Sequence, residues 1–132
     1  MPPDTQPGSP KDWLKHAESD LKLACIGREP GVLLENLTFH AQQSAEKALN
    51  SLLLAKHQAP PRTHNIRFLL DQISHLTIVP EQVQKAALLT DYAVATRYPG
   101  NFEPITIEEY NEAIDLAKQV LYWAKGQIEQ LQ

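Results

Sequence analysis

Residues 39–49 read Phe39-His40-Ala41-Gln42-Gln43-Ser44-Ala45-Glu46-Lys47-Ala48-Leu49. The alanines recur at three- and four-residue spacing, the repeat of one helix face. Working outward, Leu33, Leu37, Ala41, Ser44, Ala45, Ala48, Leu52 and Leu53 fall on one broad stripe and predict a helix from Val32 to Lys56. Its small residues let a neighbouring helix approach closely. The polar residues take other faces. His40, Gln43 and Lys47, at i, i+3 and i+7, project together, and Gln42 and Glu46 form an adjoining i, i+4 pair. This strip reads either as a binding surface for phosphate or a partner chain, or as a solvent-facing side with ordinary helix pairs.

The flanking sequence is punctuated in the same way. Ser9 is a cap for a first helix with Pro10 in its first turn, where a missing N–H does no harm. Trp13, Leu14, Ala17, Leu21, Ala24 and Cys25 make its apolar stripe, and Gly27, Pro30 and Gly31 end it. Pro60-Pro61 is expected to stop the second helix. A short third helix follows His64 and buries Ile66, Leu69, Leu70 and Ile73; His64 itself reads as a ligand residue or as the cap. Pro80 opens a fourth, with Val83, Ala86, Ala87, Leu89, Ala93 and Val94 inward. Thr106-Ile107-Glu108-Glu109 is a capping box, and Tyr110, Ala113, Ile114, Ala117, Val120, Leu121, Ala124 and Ile128 carry the last helix. Four long helices and one short one, joined by short loops, give an all-α expectation: an antiparallel up-and-down four-helix bundle with an additional short helix.

Composition fits one domain, with 132 residues, 42% of them apolar and 21% charged. Residues 1–10 read as a disordered lead and 11–132 as the helical domain. The lead has no apolar core or cleavage pattern, and no apolar run approaches the roughly 20 residues that span a bilayer. The expected setting is cytoplasmic, with no membrane association. A single cysteine, Cys25, excludes an internal disulfide and a cysteine-based metal cluster; on its apolar stripe it reads as a small core residue. Trp13 and Trp123 read as core too. The net charge of −4 excludes a nucleic-acid-coating protein. Its distribution leaves room for a local basic face: residues 36–75 hold Lys47, Lys56, Arg62 and Arg67 against Glu46 and Asp71, with His40, His57, His64 and His75.

A second polar cluster stands at the end of the fourth helix, Asp91-Tyr92 and Arg97-Tyr98-Pro99, followed by Asn101. An arginine fork suits phosphate because it donates two parallel hydrogen bonds. At a helix end it also caps carbonyls and complements the dipole. Tyr98 and Asn101 either hydrogen-bond a nucleotide or define the turn before Pro104. His57, Arg62 and His64 around Pro60-Pro61 suggest a mobile basic loop. There is no HExxH, Gly-rich phosphate loop or Gly-x-Ser-x-Gly elbow. No cofactor and no metal is implied.

These motifs together resemble the HEPN domain, a compact helical family of stand-alone prokaryotic proteins often encoded beside a minimal nucleotidyltransferase. The match is carried by Trp13 to Ala24, the 39–49 motif, His64 before a leucine-rich short helix, Asp91-Tyr92, Arg97-Tyr98-Pro99 and the helix from Thr106 to Ala124. The resemblance implies a homodimer with a cleft that binds nucleotides or RNA, and a place in toxin–antitoxin systems. Many members are metal-independent ribonucleases with an Arg-x(4–6)-His motif, in which the arginine holds the scissile phosphate and the histidine moves a proton. Arg97 matches the arginine. The histidine is missing, since Phe102, Glu103 and Pro104 occupy the three positions that spacing allows, just after Asn101, and no histidine follows His75.

The expected site is therefore Arg97, Tyr98, Asn101, Asp91, His40, Gln43, Lys47 and His64 for nucleotide or RNA binding, with Arg97 catalytic if the chain is active. Three readings stand: a binding module working as a homodimer with a nucleotidyltransferase partner, a ribonuclease whose imidazole comes from His40 or His64, and a purely structural dimerisation subunit.

Overall fold

A computed structural model describes residues 6–27, 29–90 and 104–131. The described residues are helical, without strands: α1 (Pro10–Ala24), α2 (Leu34–Ala55), α3 (Ile66–Ser74), α4 (Glu81–Gln84) and α5 (Ile107–Gln130). The expected fourth helix is not continuous. Four α-helical residues pass into a 3-10 turn, Lys85–Ala87, before helical residues 88–90. Val83, Ala86, Ala87 and Leu89 are nonetheless buried as their spacing requires, because a tightened turn still places apolar groups on one side. Ala93 and Val94 lie outside the described residues.

α2 is the central element and packs most extensively on α1 and α5. Two serines set its register on α1. Ser44 Oγ donates to the Ala17 carbonyl and Ser51 Oγ to the Pro10 carbonyl, each at 2.7 Å. These pairs advance on α2 as they recede on α1, so the two helices run antiparallel. α5 also opposes α1: Tyr110 at its start meets the end of α1, while Lys125 near its end lies 3.4 Å from Glu18. Between these contacts Ala17, Ala24, Ala41, Ala45, Ala48, Ala113, Ala117 and Ala124 are fully buried. Leu49, Leu52, Ile66, Leu69, Ile73 and Leu89 fill the remaining space; truncating one such leucine to alanine costs about 2–5 kcal/mol. A smaller cluster of Leu37, Ile105 and Tyr110 closes one end.

The caps explain the element boundaries. Gly8 and Ser9, expected in the lead, are held to α1: Ser9 Oγ accepts from the Asp12 amide, and the Gly8 amide donates to Asp12 Oδ2 at 2.8 Å. The Thr106–Glu109 box is fully formed. Asn65, rather than His64, caps α3 by accepting from the Phe68 amide. α2 ends before the prolines. The His57 amide donates to Leu54 and the Gln58 amide to Leu53, a Schellman turn that places His57 at φ 63°. Leu33, expected on the inward stripe, precedes α2 and is 61% exposed. Cys25, expected in the core, is exposed in the turn after α1, where the periodicity of that helix no longer applies.

Candidate functional site

Two buried carboxylates organise the polar strip of α2. Asp20 comes from α1 and is 8% exposed. One oxygen accepts from Lys47 Nζ at 2.6 Å; the other lies 3.1 Å from His40 Nδ1. His40 and Lys47 are about two turns apart on α2, so one carboxylate inserted from the antiparallel helix reaches both. Glu46, 4% exposed, is the second. Its Oε1 accepts from Gln42 Nε2 at 2.9 Å, and its Oε2 lies 3.1 Å from Nδ1 of the exposed His64. Gln42 Nε2 also donates to the His64 carbonyl at 3.2 Å, which ties the chain leaving Pro60-Pro61 back onto α2. Burial raises the pKa of Glu46 above its usual 4.5, against the lowering effect of the His64 hydrogen bond and charge.

Beside these pairs lies an open groove of about 730 Å³. Gln43, Lys47, Asn50 and Leu54, spaced along one face of α2, form its floor. Trp13 and Gly8 form one wall, and the segment from Pro60 to His64 the other. Arg62 is exposed on that second wall, and no carboxylate pairs with it among the described residues. Asn50 is 8% exposed, and its side-chain oxygen has no hydrogen-bond partner among the described residues. The groove thus combines an aromatic ring, amides, basic side chains and the carboxyl of Glu46.

The structure brings together Gln43, Lys47 and His64 from the expected site. His40 joins them through its shared partner Asp20 rather than by lining the groove. Asp91, Arg97, Tyr98 and Asn101 lie outside the described residues. Gln42 and Glu46 are buried, which overturns the solvent-facing reading for that pair. Trp123 packs against the core as expected; Trp13 is half-buried and lines the groove instead. The sequence reading missed Asp20 and Asn50. Both are polar residues carried close to apolar stripes, which is the signal that would have found them.

A family model for the HEPN domain matches residues 10–127. The chain belongs to the HEPN family. Its fold is similar to the crystal structure of TT1696 from Thermus thermophilus, with a TM-score of 0.79 and 34% identity over 89% of this chain and 97% of that one. It is also similar to the crystal structure of ST0689, an archaeal HEPN homologue, with a TM-score of 0.72 and 33% identity over 91% of this chain and 98% of that one. No functionally curated protein matches the chain. This HEPN domain has no helix among its described residues long and apolar enough to cross a membrane.

Proposed function

We propose that this HEPN protein binds a nucleotide or RNA as a homodimer, in a cytoplasmic toxin–antitoxin-type system with a nucleotidyltransferase partner. The observation that carries the reading is that Arg62 lines the groove with no carboxylate partner among the described residues, beside Lys47 and His64, which Asp20 and Glu46 hold in place, in a chain whose net charge is −4. Local cations on a globally acidic protein favour a small anionic target over general nucleic-acid coating. Arg97 matches the arginine of the family motif, and the reading places it, with Tyr98, Asn101 and Asp91, against the same ligand. The test is calorimetric binding of ATP and of a mixed-sequence RNA to wild type and to Arg97→Ala, with sedimentation to report the oligomer. Arg97→Ala is expected to weaken binding while the fold persists; wild type that binds neither ligand refutes the reading.

A second reading, metal-independent RNA cleavage, is favoured by one specific observation. Asp20 engages His40 through Nδ1, which leaves Nε2 of a partly exposed ring for proton transfer from a ribose 2′-OH. RNA incubated in EDTA with wild type, Arg97→Ala and His40→Ala decides it. Cleavage by wild type and by neither variant supports an enzyme, and cleavage by all three indicates a contaminant.

A further inference from the structure

We infer that the groove between the start of α1 and the Pro60–His64 segment takes a single unstacked nucleotide, with its base on the Trp13 indole and its phosphate at Arg62. This rests on the proposed function and names the subsite within it. Trp13 stands in the first turn of α1, whose start is held by the Ser9 cap and the Ser51–Pro10 bond, and it does not join the core. An indole left half-buried on a groove wall offers an apolar face beside polar groups, the arrangement on which single-stranded bases stack. Asn50, on the floor, holds a buried carbonyl oxygen with no partner among the described residues.

The basic side chains of the groove are of two kinds. Lys47 is committed to Asp20 at 2.6 Å, and His64 to Glu46 at 3.1 Å. Arg62 has no carboxylate partner among the described residues, so its guanidinium is the group ready to receive a phosphate. The opening holds about 730 Å³, ample for one nucleotide. The ligand chemistry is common to a free nucleotide and to a nucleotide within an RNA strand.

The experiment uses the full chain with Trp123→Phe, which leaves Trp13 as the sole tryptophan. AMP, pentaadenylate and an abasic ribose-phosphate pentamer are titrated separately. AMP or pentaadenylate is expected to quench Trp13 fluorescence, and the abasic pentamer is not. Equal affinity for AMP and pentaadenylate marks a free nucleotide, and a strong preference for pentaadenylate marks a strand. By calorimetry Trp13→Leu is expected to weaken the base-bearing ligand about ten-fold, Trp13→Tyr to restore most of it, and the abasic pentamer to be indifferent to both. Arg62→Ala is expected to weaken base-bearing and abasic ligands alike. Circular dichroism melts of each variant separate a lost fold from a lost contact. A wild type that binds these ligands with affinity unchanged in Trp13→Leu and Arg62→Ala overturns the groove assignment and leaves the proposed function standing. A wild type that binds no nucleotide or RNA at all overturns both.

Discussion

Nδ1 of His64, on an exposed ring, lies 3.1 Å from Oε2 of Glu46, whose side chain is 5% exposed. A surface imidazole thus covers a buried acid and holds the segment after Pro60-Pro61 on α2. Because burial raises the Glu46 pKa in the folded state, the folded protein binds the Glu46 proton more tightly than the unfolded chain does. The contribution of Glu46 to stability is therefore complete below its unfolded value near 4.5 and is lost as pH rises through the higher folded value. Urea unfolding of wild type and Glu46→Gln between pH 4 and pH 8 checks this. The stability of wild type relative to the variant is expected to decline over the window above 4.5, and parallel profiles would refute it.

Asp20 reaches the Lys47 ammonium and the His40 imidazole of α2 from α1. Asp20→Asn removes the charge without changing the volume and leaves Lys47 half-buried without its counter-ion. The expected loss is about 1–3 kcal/mol, the range of a charged hydrogen bond in a part-buried site. A double-mutant cycle with Lys47→Met measures the pair itself; a coupling near zero would mean that the contact is decorative.

Tyr110 closes the end of α1 from the start of α5. Its hydroxyl donates to the Ala24 carbonyl and accepts from the Gly27 amide at 3.1 Å. Gly27 takes φ 81°, a conformation glycine adopts without strain, and its amide meets the phenol oxygen. Tyr110→Phe orphans both backbone groups and is expected to cost about 1–3 kcal/mol. Hydrogen exchange should speed up at Gly27 specifically; an unchanged rate there would show that the bond does not form in solution.

His57 occupies the left-handed position of the Schellman turn after α2 with φ 63°. A side chain in that region costs about 1–2 kcal/mol that glycine avoids. His57→Gly is therefore expected to raise stability by about 0.5–1 kcal/mol once the greater entropy of glycine in the unfolded chain is counted. A lower thermal midpoint in the variant would show that the imidazole does more than endure the turn.

Much of the helical plan is legible in the sequence because it is local. The alanine repeat of α2, the Ser9 and Thr106 caps and the apolar period of α5 each depend on residues within a few positions of one another. Ends are less legible. The end of α2 at Lys56 reads correctly but is credited to Pro60-Pro61, whereas the Schellman turn at His57 makes it, since a histidine carries no sequence mark of a left-handed backbone.

The site divides along the same line. By itself the sequence determined that His40, Gln43 and Lys47 share a helix face, because the helical repeat alone fixes that. It also determined the HEPN family, through motifs spread over nearly the whole chain. Only the tertiary structure decided that Asp20 lies between His40 and Lys47, that Glu46 is buried under His64, and that Trp13 faces a groove rather than the core. Burial and pairing are properties of how helices dock: the Ser44–Ala17 and Ser51–Pro10 bonds set a register between two distant segments that no local pattern contains.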